Sequence, residues 1–86
     1  MTTRISVYPE QFVHKVNVEI DAKNPFYCII RLADQYGMIK RMIGLNISTG
    51  FNEISIQDLE SFCVGPYYLD VKNIEGKILY STELTK

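Results

Sequence analysis

The run Gly65-Pro66-Tyr67-Tyr68-Leu69-Asp70-Val71 places Tyr67, Leu69 and Val71 at every second position. A period of two is the spacing of one face of a β-strand, and a helix cannot gather all three side chains on one side. The glycine ahead of the run predicts a backbone position that needs room or a positive φ. Six more runs repeat the signal at short intervals, which is the pattern of an all-β sandwich rather than of alternating strands and helices. Ile5-Ser6-Val7-Tyr8 reads as a first strand, closed by Pro9, which cannot donate to a ladder. His14 to Ile20 reads as the second, with Val16, Val18 and Ile20 on one face. Phe26 to Ala33 is the most apolar run and reads as a central strand, with Cys28, Ile30 and Leu32 turned inward and Tyr27, Ile29 and Arg31 outward.

Asp34-Gln35-Tyr36-Gly37 predicts a tight turn. Met38 to Ile43 predicts a fourth strand, whose Lys40-Arg41 pair suits a sheet edge kept from pairing with other molecules. Gly44 to Gly50 reads as a polar loop. Ile54 and Ile56 face inward from a fifth strand, and Leu59 plugs the core from a short turn. Tyr67, Leu69 and Val71 face inward from the sixth strand, and Ile78, Tyr80 and Leu84 from the seventh. Each strand has one apolar face to bury, so two packed antiparallel sheets are the economical answer: a seven-stranded, all-β, immunoglobulin-like sandwich.

The chain has 86 residues, enough for a single domain over 1–86 near the smallest size at which one core suffices without staples. Residues 1–4 read as an added or disordered lead. Hydrophobic residues make up 47% and charged residues 22%, which places the chain among packed domains rather than disordered ones. A net charge of -1 gives no basic excess for nucleic acid or an anionic membrane surface. No apolar run approaches the ~20 residues that span a bilayer, so no membrane insertion is expected. Met1-Thr2-Thr3-Arg4 lacks the apolar segment of a secretion signal. The chain therefore reads either as cytoplasmic, if complete as written, or as a piece of a longer protein.

Nothing in the pattern is built for catalysis. His14 is the single histidine, and no serine, cysteine or carboxylate is placed beside it by sequence. Cys28 and Cys63 form no CxxC pair, so no metal set is expected. Both are expected as buried free thiols rather than as a disulfide, because free cysteine behaves as a small hydrophobe; their placement still allows them to be neighbours. Asp34 and Asp58 suit turns, where Asx side chains bond their own backbone. Asp70 and Lys72 read as solvated charges on an outer face. The Asn46-Ile47-Ser48 triplet reads as a chance match to a glycosylation sequon. No cofactor is implied, and the expected partner is another protein. Tyr27, Ile29, Tyr68 and Leu79 fall on outward faces of the third, sixth and seventh strands, which share a sheet in an immunoglobulin-like topology. They are candidate interface residues, since a contiguous exposed apolar patch on a small domain marks a contact surface.

The order of these elements resembles the C-terminal sorting domain of the type IX (Por) secretion system of Bacteroidetes. Val7-Tyr8-Pro9 matches the end of that family's first strand, although Glu10-Gln11 stands where the family has Asn-Pro. Leu32-Ala33-Asp34-Gln35-Tyr36-Gly37 matches its hairpin, and Gly50-Phe51-Asn52-Glu53-Ile54-Ser55-Ile56 its Gly-x-Asn-x-Ile-x-Ile element. Leu59 and Gly65 to Val71 match its Gly-x-Tyr-x-Leu-x-Val strand. Gly76-Lys77 matches the last hairpin, and Lys86 the basic end. The chain is also similar to small Bacteroides Ig-like domains that share the Gly-x-Tyr strand and the glycine hairpin. The resemblance covers the chain from about Ile5 onward. It implies structural roles for Tyr8, Pro9, Asp34, Gly37, Asn52, Gly65, Tyr67, Leu69 and Gly76. It implies recognition by secretion machinery through the sixth strand and the final strand to Lys86. A place outside the cell or on its surface, as part of a longer protein, follows from the same likeness.

Overall fold

Strands form at all seven alternating runs: β1 (Arg4–Tyr8), β2 (Val16–Ala22), β3 (Phe26–Asp34), β4 (Ile39–Ile47), β5 (Gly50–Ile56), β6 (Pro66–Asn73) and β7 (Ile78–Thr85). The computed structural model describes residues 3–86, and Met1 and Thr2 lie outside the described residues. Arg4 is already part of β1, paired with Asp21. Two antiparallel sheets, β1-β2-β5 and β4-β3-β6-β7, make an all-β, immunoglobulin-like sandwich. The fourth strand stays beside β3 in the four-stranded sheet instead of joining β5.

The alternating residues fill the space between the sheets. Val16, Val18 and Ile20 from one sheet meet Cys28, Ile30, Leu32, Leu69 and Val71 from the other, all essentially inaccessible to solvent. Leu59 closes one end of this core from the segment between β5 and β6. Phe12 is equally buried, and sequence reasoning missed it. Residues 10–12 run alongside the end of β7: the Phe12 amide donates to Thr85 O, and the Thr85 amide to Glu10 O. This puts the Phe12 ring edge-on to Tyr67, with centroids 5.6 Å apart. One phenylalanine outside any alternating run carries no periodic signal, so only the return of the chain to β7 reveals it.

Three expectations about strands and burial need correction. The stretch Gly44 to Gly50 is not a polar loop. β4 continues through Ile47, which is buried, and only Ser48 and Thr49 remain between β4 and β5. Glycine and asparagine weaken strand propensity, but pairing of residues 44–47 with Phe26 to Ile29 overrides it. Ile78 is not a core residue; it is 54% exposed. The register shifts between Val71 and Lys72, so that Val71 faces Tyr80 while Lys72 faces Ile78. The extra residue turns Ile78 to the outer face, while Tyr80 and Leu84 keep their inward side. Finally, Cys63 is exposed whereas Cys28 is buried. Cys28 pairs with Asn73 at one end of β3, and Cys63 lies beyond the other end, near Tyr67 and Asp34. The two thiols are not neighbours, because about six strand residues, roughly 20 Å, separate those ends.

Candidate functional site

The residues on which the resemblance rests are occupied in holding the fold. Asp34 Oδ1 accepts from the amides of Tyr36 and Met38, and Gly37 takes a φ of 81° to close the β3–β4 hairpin. Asn73 repeats the arrangement in the β6–β7 hairpin, accepting from the amides of Glu75 and Lys77 ahead of Gly76. The Asn52 side chain staples the β4–β5 turn to the sheet. Its Oδ1 accepts from the Ser48 amide, and its Nδ2 donates to the carbonyls of Ser48, Gly50 and Ile20. Tyr67 donates its hydroxyl to Cys63 O at 2.6 Å, four residues back, which is the tyrosine corner of immunoglobulin-like sandwiches. Burial, first among the causes, lifts this phenol above its ordinary pKa. Gly65 exchanges two backbone hydrogen bonds with Lys86, and Leu69 is 1% exposed. The peptide between Tyr8 and Pro9 is cis.

Tyr8 has a further partner set. Its hydroxyl lies 2.8 Å from both Glu19 Oε2 and Glu53 Oε2. These hydrogen bonds to two carboxylates keep the phenol protonated far above its usual range. One O–H serves one acceptor at a time. Glu19, Asp21 and Glu53 share the outer face of the three-stranded sheet with Arg4, so negative charge dominates it.

The outer face of the four-stranded sheet is different. Reading across β4, β3, β6 and β7, the rows are Gly44–Ile29–Lys72–Ile78, then Met42–Arg31–Asp70–Ser81, then Ile39–Ala33–Tyr68–Glu83. Tyr27 lies one row before the first of these, opposite Asn46, and its hydroxyl rests over Gly44, where a Cβ would collide with it. Tyr27, Ile29, Tyr68 and Leu79 therefore belong to one sheet, but they do not form one patch. Arg31 and Asp70 sit between them, joined through Nε and Nη2 to the two carboxylate oxygens at 3.0 and 2.8 Å. Asp70 is thus not a merely solvated charge, and the same pair raises the pKa of Arg31. Tyr27 and Leu79 line one hollow with Pro25, Phe26 and Ile74, of about 430 Å³. Tyr68 stands beyond the ion pair, about 20 Å from Tyr27 in backbone position. Sequence reasoning missed Met42, Ile39 and Ile78 on this face, all exposed. The bulges opposite Leu32/Ala33 and Val71/Lys72 set which way Ile39 and Ile78 turn, and nothing local announces them.

Lys86 is turned back into the fold, its ammonium donating to the carbonyls of Glu60 and Phe62. A cleft of about 370 Å³ lies nearby, between the Asp34–Gly37 turn, Lys40, Arg41 and residues 61–67. Its cations are committed: Arg41 stacks 4.9 Å over the Phe62 ring and donates to Lys40 O and Asp58 O. Lys40 pairs with Asp34. His14 is exposed, and its carbonyl accepts from the Leu59 amide. Among the described residues no three His, Cys, Asp or Glu side chains are grouped to hold a metal ion. Neither a protein-family model nor a curated protein matches this chain.

Proposed function

We propose that this chain is a non-catalytic sorting and anchoring module, of the kind that directs a larger exported protein through type IX secretion machinery to the cell surface. The observation that carries this reading is the agreement between pattern and architecture. The hairpin Asp34–Gly37, the Asn52 staple, the Gly65-x-Tyr67 corner and the Gly76 hairpin occur in the family's order, each at a position where that residue type is needed. Such a module acts by presenting a rigid surface, and its work is docking. A reporter fused ahead of residues 5–86 and expressed in a host with a type IX system is the test. Export to the surface supports the reading, and retention of a folded fusion in the periplasm removes it.

The outer face of the four-stranded sheet favours a second reading, that of an Ig-like binding or spacer domain that contacts protein or carbohydrate through exposed aromatics. Tyr27 and Tyr68 are 37% and 46% exposed on that face. Their ~20 Å separation exceeds the width of a sugar ring and suits a broad protein contact better. Tyr27→Ala with Tyr68→Ala is expected to abolish binding to such a partner, and unchanged binding would remove the proposal.

A further inference from the structure

We infer that the outer face of the four-stranded sheet docks a second copy of this chain, across a two-fold axis parallel to the strands and midway between β3 and β6. The inference deepens the second reading above by naming its partner. Arg31 and Asp70 are directly opposite each other on the two central strands. A two-fold axis between those strands exchanges their positions, so each Arg31 lies over the second copy's Asp70. Within one chain the pair uses only Nε and Nη2 of the guanidinium and one bond per carboxylate oxygen. Arginine carries five N–H donors, so three remain, and the carboxylate keeps free lone pairs. Both side chains are already partly covered, at 29% and 22% exposed. Docking closes them into a four-charge ring without breaking either internal bond, and so avoids the cost of stranding a buried charge.

The neighbouring rows fit the same operation. It brings Tyr68 over the small Ala33 of the second copy, a knob against a hollow, and Met42 over Ser81. Charge agrees as well. The charges in these rows, Arg31 and Lys72 with Asp70 and Glu83, sum to zero; Arg31 and Asp70 meet each other across the axis, while Lys72 lies over Ile29 and Glu83 over Ile39 of the second copy. The opposite sheet carries Glu19, Asp21 and Glu53 against Arg4, so two copies meeting there would repel. Four strands ~4.8 Å apart over about seven residues cover roughly 450 Å² of flat area. Two such faces remove on the order of 1,000 Å² from water, the lower edge of what specific association needs. The dimer is therefore a weak one, with a dissociation constant on the order of 10–100 µM.

The test is sedimentation velocity of the 86-residue chain from ~1 µM to ~1 mM, which brackets that range. A reversible monomer–dimer transition is expected, and Tyr68→Glu should weaken it at least about tenfold. The double variant Arg31→Asp with Asp70→Arg keeps the ion pair within each chain. It should dimerise with itself, yet form mixed dimers with the original chain at least about tenfold more weakly, because like charges then meet across the axis. A chain that stays monomeric at the highest concentration overturns the inference, as does free mixing of the two forms. A monomeric chain that still binds another protein through Tyr27 and Tyr68 would overturn self-docking alone and leave the second reading standing.

Discussion

The Tyr67 hydroxyl donates to the Cys63 carbonyl oxygen at 2.6 Å, and this bond joins the start of β6 to the loop that leads into it. The ring is held from two sides, edge-on by Phe12 and tilted against Phe62, each with centroids 5.6 Å away. Tyr67→Phe keeps the packing and removes only the bond. The Cys63 carbonyl then loses its partner in a partly covered corner, which costs about 1–2 kcal/mol. The melting temperature is expected to fall by roughly 5–12 °C for a domain of this size. A calorimetric scan checks it, and an unchanged midpoint would show that the hydroxyl is not anchoring the corner.

Leu69 and Tyr68 are adjacent and face opposite ways, 1% and 46% exposed. Leu69→Ala removes buried methyl groups and leaves a cavity, at a cost of ~2–5 kcal/mol. Tyr68→Ala should cost less than about 1 kcal/mol, since it loses only partial cover on an outer face. Urea titration of the two variants compares them directly. Equal losses would contradict the register of β6.

Asn52→Asp is expected to be more harmful than its size suggests. The Asn52 amide nitrogen faces three carbonyl oxygens, of Ile20, Ser48 and Gly50. A carboxylate there replaces attraction by repulsion and loses the donors, at a cost of about 2–3 kcal/mol at neutral pH. The folded state would then favour the protonated acid. Stability should therefore recover partly as pH falls through the carboxyl range, opposite in sign to an ordinary paired aspartate. Chemical denaturation at pH 7 and at pH 4 measures the recovery.

The two thiols should behave oppositely. Cys63 is exposed and should react promptly with an aromatic disulfide reagent at neutral pH, whereas Cys28 should react only on unfolding. Burial pushes the Cys28 thiol from 9.0 up to about 11. The raised value means that the fold favours the neutral thiol, so its contribution is intact below pH 9 and disappears as pH climbs through 11. Cys28→Ala should lower stability at pH 7 and flatten the alkaline decline between pH 9 and 11. Thermal midpoints across that window test the sign. A decline as steep in the variant as in the original would assign the alkaline loss to other groups.

The position of the candidate face was partly readable in the chain. Alternation alone put Tyr27, Ile29 and Tyr68 outward, and these residues do lie on the outer face. Leu79 was placed there by the same rule, but it sits in the β6–β7 bulge and reaches Tyr27 through a shared hollow. The ion pair that divides the face was invisible, because Arg31 and Asp70 are 39 residues apart and meet only through the β3–β6 register.

The seven strands, the inward sides of β2, β3 and β6, and the two four-residue hairpins that start at Asp34 and Asn73 are legible in the chain alone. Those features follow from period-two burial and from side chains that cap their own backbone, and both act over a few residues. The extension of β4 to Ile47 beside β3, the entry of Phe12 into the core and the outward turn of Ile78 come from long-range pairing. Each of these depends on which backbone lies alongside, and a single extra residue in a ladder reverses every side chain beyond it.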